Sequence, residues 1–345
     1  MAEKKPGARV TLRDVAAEAG YSVNAVSRAL RGMKDIGPQA TERIREAAER
    51  LGYVGDPAAR ALRSGRSDTI ALLVPTLTNP YFSVMSDLIQ LEAQRRGFSL
   101  IVLCTREEAD LALRCAAQAI ARRVDRVLFF PVSGCRPALE RLSEARVPCV
   151  QLASSVAPEL SDSVIIDDDR GGRLAAEHLL SHGRRKLCFL SASGLNLSVA
   201  GRGAGFRNAC VEAGLPEDRC GSVSMTDWYF TITDSAAWRA RMTTELLALR
   251  EAGFDGLFSF CDVEAFRIHN VLQDSSLFAP GCMGLIGFDD LGGWMNLMKP
   301  MCSIDSGERE IASLGTAALI ERIEGSVEPF RTLRAPVRLT CRGSC

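Results

Sequence analysis

The stretch VTLRDVAAEAGYSVNAVSRALRG, residues 10–32, spells two short helices separated by one tight turn. Leu12, Val15, Ala16 and Ala19 fall at i, i+3, i+4 and i+7, which is one face of a helix. Thr11 stands ahead of them as an N-cap with Asp14 at the third helical position, a shortened capping box. Gly20 supplies a C-terminal stop, and Tyr21 leads straight to Ser22, a second N-cap. In the helix that follows, Val26 and Leu30 point inward, leaving Val23, Asn24, Ser27 and Arg28 to face out. A third helix starts at Gly37-Pro38 and runs through TERIREAAERLGY (41–53), with Ile44, Ala47, Ala48 and Leu51 as its apolar stripe. Two short helices across a glycine turn make a helix-turn-helix unit. Three helices with so few large apolar residues give a marginal core, tolerable in a head attached to something larger.

The rest of the chain supplies that larger body. At 345 residues and 47% hydrophobic, the whole chain is long and apolar enough for two or more domains. No run approaches the roughly 20 apolar residues that span a bilayer, and MAEKKPGARV at the start lacks the apolar region of a secretory signal. A cytoplasmic, nucleoid-associated protein with no membrane contact is expected. The 12 cysteines are scattered singly, without a CxxC, and are expected as small buried hydrophobes. Cys341 and Cys345, the closest pair, are not expected to form a metal site. Net charge is zero, yet its distribution is uneven. Residues 1–66 hold 13 Lys or Arg against 8 Asp or Glu, while the remainder holds 29 against 34. A basic head on an acidic body places any attraction for phosphate at one end.

From Ser67 onward apolar runs of strand length alternate with helical segments. TIALLVP, FSLIVLC, DRVLFFP and PCVQL are separated by helices predicted over 80–96, 107–123 and 136–145. A second series opens at SVIID and continues through KLCFLSA, DGLFSF and MGLIGF, with helices at 170–182, 202–213, 235–252 and 263–274. Two β-α-β series in tandem predict two lobes with parallel sheets and a ligand cleft between them. No catalytic constellation emerges, so the protein is expected not to be an enzyme and to need no cofactor. His178 and His182 stand four apart on a helix with no acidic third ligand, which favours a solvated face over a metal site. GRGAGF (201–206) lacks the spacing and strand context of a dinucleotide loop.

Residues 10–32, with TERIREAAERLGYVGDPAARALRSGRS after them, resemble the head and hinge of the lactose-repressor/purine-repressor family of bacterial transcription regulators. In that family the second helix lies in the major groove. The resemblance implies that Val23, Asn24 and Arg28 read bases. Asn can pair with adenine, Arg with guanine, and Val can touch a thymine methyl. Thr11, Ser22 and Ser27 would contact phosphates. DPAARALRSG (56–65) matches the family hinge, which is too short to be a stable helix alone. Leu62 would wedge into the minor groove, with Ala59 presenting a small surface beside it.

The body resembles the same family's effector-binding region, of periplasmic-binding-protein type I fold, through TNPYF (78–82), DDDRGGRLAAEHL (167–179), GRGAGF and LIGFDD (285–290). Tyr81 and Phe82 would line the cleft from the first lobe, Arg202 and Asp289 would bind from the second, and Trp228 would stack on the ligand. Cys261-Asp262 departs from the Asn-Asp of many sugar-responsive members, and residues 221–236 are longer and more aromatic than usual. The resemblance implies a head over 1–54, a hinge over 55–67 and a body over 68–345. The first lobe would take 68–165 and 292–325, the second 166–291 and 326–345. A homodimeric repressor of a palindromic operator, modulated by a sugar-like effector, is the expected function. A solute-binding protein or sugar-processing enzyme on the same α/β body is the alternative.

Overall fold

The structure is a computed structural model that describes residues 10–33, 35–55, 66–191, 197–224, 235–274, 278–279, 281–292, 301–322 and 329–345. The chain divides into two compact units, Met1–Ser67 and Asp68–Cys345.

The first unit holds α1 (Leu12–Ala19), α2 (Val23–Ala29) and α3 (Pro38–Arg50). The Asp14 carboxylate accepts from the Thr11 backbone N–H at 2.7 Å and from its hydroxyl at 2.8 Å, closing the start of α1. Gly20 ends it with φ of 74°, the left-handed region that glycine enters freely. Ser22 Oγ then accepts the Ala25 N–H at 3.1 Å and starts α2. Val15, Ala16, Ala19, Val26, Ala29, Ile44, Ala47 and Ala48 form the core. Five of the eight are alanines, so the helices approach closely but bury little apolar area.

The second unit is two six-stranded sheets with helices around them. The first sheet is built from β1 (Thr69–Val74), β2 (Ser99–Cys104), β3 (Arg126–Phe129), β4 (Cys149–Ala153), β5 (Asp162–Ile166) and β11 (Thr332–Ala335), in the order β11-β5-β4-β3-β1-β2. The intervening helices are α4 (Pro80–Arg95), α5 (Ala109–Ala121) and α6 (Arg136–Glu144). The second sheet takes β6 (Leu187–Ser191), β7 (Cys220–Ser224), β8 (Gly256–Ser259), β9 (Gly284–Phe288), β10 (Cys302–Asp305) and β12 (Arg338–Thr340), in the order β12-β10-β9-β8-β6-β7. Its helices are α7 (Asp168–Ser181), α8 (Val199–Glu212), α9 (Ser235–Glu251) and α10 (Asp262–Leu272), while α11 (Glu308–Glu321) packs on the first lobe against α4, β4 and β5. All pairings are parallel except β10 with β12. Central strands such as RVLF, LCFLS and GLIGF are buried along their whole length, as strands covered on both faces must be.

The lobe boundaries differ from those expected. SVIID does not open the second lobe, because β5 pairs with β4 and β11 in the first sheet. Residues 292–325 are not all in the first lobe, since β10 extends the second sheet beside β9. Nor are residues 326–345 all in the second, since β11 returns to β5 before β12 rejoins β10. Crossovers thus follow β5, β10 and β11. The strands involved, CSID and TLRA, are four residues each and carry charged groups, so their apolar pattern is weak.

Candidate functional site

On the head, α2 presents Val23 and Asn24 to solvent, Val23 being 41% exposed. Ser22 is exposed at the N-cap, and Thr11 is exposed at the start of α1. Arg28 is half-buried and pairs with the carboxylate of Asp35. Ser27, expected outward, is buried at 9% exposure. The correction has a geometric cause: in a helix of seven residues flanked by two others, the buried arc is wider than its apolar residues mark. Ala59 and Leu62 lie outside the described residues, as does Trp228.

In the body, Asn79 Oδ1 accepts the Tyr81 N–H at 3.0 Å and starts α4, with Pro80 in the first turn. This fixes Tyr81, buried, against Phe82 and Phe130, with ring centroids 5.1 and 6.3 Å away in edge-on contact. From the second lobe comes Arg202, on α8 and only 4% exposed. Its Nε donates to Asp168 at 2.8 Å and its Nη1 to the Phe260 carbonyl at 2.6 Å. The guanidinium also lies 3.4 Å above the Phe288 ring centroid. A guanidinium carries five N–H donors, more than these partners use.

Two glycines make this arrangement possible. A Cβ at Gly172 on α7 would stand 2.0 Å from the Arg202 carbonyl, and one at Gly205 on α8 would stand 1.9 Å from the Asp169 carbonyl. Only hydrogen at both positions lets α7 and α8 lie close enough for Asp168 to reach Arg202. GRGAGF is therefore a packing sequence: Gly201 and Gly205 meet the neighbouring helix, and Gly203 meets the Phe189 ring on β6.

Asp289 follows β9 with φ of 101° and donates its N–H to the Ile304 carbonyl at 2.7 Å. Burial pushes its carboxyl up to about 7, against the attraction of Arg202. Burial likewise raises Asp168 above the usual carboxylate range and takes Glu308 up to about 9. The Tyr81 phenol is raised well above its ordinary value, first by burial and then by the charges of Asp289 and Glu308. Tyr81, Arg202, Asp289 and Glu308 are thus near neighbours, gathered from both lobes. Glu308 Oε1 is buried there without a hydrogen-bond partner, and Tyr81 Oη and Ser306 Oγ are buried with only each other for partners.

Sequence reasoning missed Asp168, Phe260, Phe288, Ser306 and Glu308. Asp168 and Phe288 lay inside quoted motifs, but nothing in the pattern told them from their neighbours. Asp262, which stands in a departing motif, is buried and holds the loop after β9 by accepting the Leu291 N–H and the Ser303 hydroxyl, both at 2.7 Å. His178, expected on a solvated face, is buried. The reason is that residues 338–345 close over that end of α7, beside β10.

The head matches a family model described as bacterial regulatory proteins, lacI family, over residues 11–56. Residues 67–242 match periplasmic binding proteins and sugar binding domain of LacI family, and residues 176–345 match a periplasmic-binding-protein-like domain. The chain belongs to the LacI family. It is a DNA-binding transcription regulator whose body has the sugar-binding-domain fold. The HTH-type transcriptional regulator GntR of Pseudomonas aeruginosa is 29% identical over 323 residues, 92% of this chain and 90% of that protein. The regulator CelR of Thermobifida fusca is also 29% identical, covering 94% and 95%. Among solved structures, the Lac repressor dimer bound to operator and an anti-inducer superposes with a TM-score of 0.81 at 20% identity, covering 98% of this chain and 99% of that one. A CelR–cellobiose complex gives 0.68 at 24%, covering 98% and 100%. Among the described residues of this LacI-family chain, no helix is long and apolar enough to cross a membrane.

Proposed function

We propose that this chain is a cytoplasmic homodimeric repressor that binds a two-fold symmetric operator and responds to a sugar-like effector held at the Arg202–Asp289 cluster. The effector reading is carried by one observation. Tyr81 Oη and Ser306 Oγ, with only each other for partners, and an unpartnered Glu308 Oε1 are buried beside a buried Arg–Asp pair. Unpaired buried polar groups are costly, and a ligand with several hydroxyls would satisfy them together. Cellobiose in the CelR complex belongs to that chemical class.

On the DNA side, Val23 and Asn24 are the exposed base readers, and Ser22 and Thr11 contact phosphates. Ser27, being buried, is left to backbone contacts. Arg28 reads a base only after leaving Asp35, a partly solvated pair that costs little to break. Ala59 and Leu62 form the minor-groove wedge. Trp228 is the residue proposed to stack on the effector, and Phe82 lines the cleft beside Tyr81.

The test is a thermal-shift screen of sugars and sugar acids, because a ligand bound only by the folded state raises Tm. A hit is expected to bind the wild-type chain and a truncation starting at residue 67, and to lose at least roughly a hundredfold in affinity in Arg202→Ala, a buried charge-assisted contact. The truncation is expected to lose specific DNA binding. Equal affinity in Arg202→Ala sinks the effector site; DNA binding by the truncation sinks the head assignment.

A further inference from the structure

α7 ends where residues 338–345 meet β10, and five metal-ligating side chains converge there. Ligand atoms of His178, Cys302 and Cys345 lie within 4.8 Å of one another, and so do those of His178, His182 and Cys341. The Sγ atoms of Cys302 and Cys341 are 3.9 Å apart. Tetrahedral zinc with Zn–S bonds of about 2.3 Å holds its sulfurs about 3.8 Å apart. The two sulfurs, now in hydrogen-bond contact, need move little to share one ion.

The surroundings suit the chemistry. Cys302 Sγ accepts the Arg342 backbone N–H at 3.1 Å, a contact that favours thiolate over thiol. His178 is 8% exposed and its Nε2 is buried without a hydrogen-bond partner, an orphan lone pair or N–H in an otherwise packed site. His182 Nδ1 lies 2.9 Å from the His178 carbonyl. A carbonyl can only accept, so this nitrogen carries the proton and the ring is fixed in orientation. Residues 342–345 are pinned independently: the Leu285 N–H donates to the Ser344 carbonyl at 2.9 Å, and the Cys302 N–H to Ser344 Oγ at 2.8 Å. Cys341 and His182 are exposed, which gives an ion a way in.

We infer that His178, Cys302 and Cys345, with Cys341 beside Cys302 to complete the set, form a structural site for a thiophilic tetrahedral metal ion of the zinc class. The ion would staple residues 338–345 and β10 to the C-terminal end of α7. The N-terminal end of the same helix carries Asp168, so the staple stiffens the element that positions Arg202.

The experiment uses the full chain, reduced, stripped with a chelator and titrated with Zn²⁺, and in parallel with Co²⁺ as a spectroscopic probe. One equivalent of zinc per chain is expected, with proton release from the thiols and a Tm rise of about 3 °C or more. Cobalt is expected to show a thiolate-to-metal charge-transfer band. Cys341→Ser removes an exposed ligand without touching the core, and is expected to weaken zinc binding roughly tenfold or more and diminish the band. Cys104→Ser, in the first lobe, is expected to change neither. Failure of the reduced chain to take up equimolar zinc overturns the proposal, as does a cobalt band unaltered in Cys341→Ser. A Cys302–Cys341 disulfide in the unreduced chain, with no zinc uptake after reduction, overturns it in favour of oxidation.

Discussion

Asp289 concentrates the physics of the effector cluster in a single side chain. Its folded carboxyl titrates near 7, above its ordinary range, because burial opposes the charged form. The folded state therefore holds a proton that the unfolded chain surrenders near pH 4. That contribution to stability is complete below the unfolded pKa and is lost as pH rises through about 7. Asp289→Asn keeps the shape and tolerates the positive φ, while Arg202 stays compensated by Asp168. The variant is expected to be more stable than wild type at pH 8 by about 1–3 kcal/mol, a margin that shrinks toward pH 5. Denaturant titrations at the two pH values measure it. A margin independent of pH would mean that Asp289 is ionised throughout. Residue identity was the least legible layer of this site. Arg202 and Asp289 stood out by motif, but Ser306 and Glu308 reach the cluster only through the β10–α11 crossover, which no local pattern announces.

At the scale of elements, legibility follows from how strongly each one is patterned. The head helices were readable because caps, glycine stops and 3.6-residue periodicity agree at every step. The central strands were readable because both their faces are buried. β10 and β11 were not, because β10 is only four residues long and β11 pairs with a strand more than a hundred residues away. The α7–α8 pair lies between these cases: its glycines were visible, while their reason was not. Gly172→Ala tests that reason. The added methyl would stand 2.0 Å from a backbone carbonyl that cannot rotate away, so the two helices must separate. A loss of about 3 kcal/mol or more is expected in chemical denaturation, together with weakened effector binding as Asp168 draws back from Arg202. A loss under about 0.5 kcal/mol would show that the helices yield without cost, and the close approach would no longer explain the motif.

For the whole molecule, a basic head and a two-lobed body matter only if they communicate. The proposed route is the hinge: effector bound between the lobes favours one arrangement of the body, and Leu62 engages DNA only when two hinges are suitably placed. Such coupling is reciprocal by thermodynamic necessity, so an effector that changes operator affinity by some factor must have its own affinity changed by the same factor when operator is bound. A coupling of about 1–3 kcal/mol, or 5–150-fold, is the usual range. Calorimetric titration of the effector into the free chain and into the operator complex measures this factor directly. The same factor is expected from operator titrations with and without effector. Leu62→Ala is expected to weaken operator binding and shrink the coupling toward unity while leaving effector affinity for the free chain unchanged, because the wedge role proposed for Leu62 involves DNA alone. If the coupling survives Leu62→Ala at full size, the signal travels by a route other than the wedge. If effector affinity is indifferent to operator in the wild type, head and body are merely tethered.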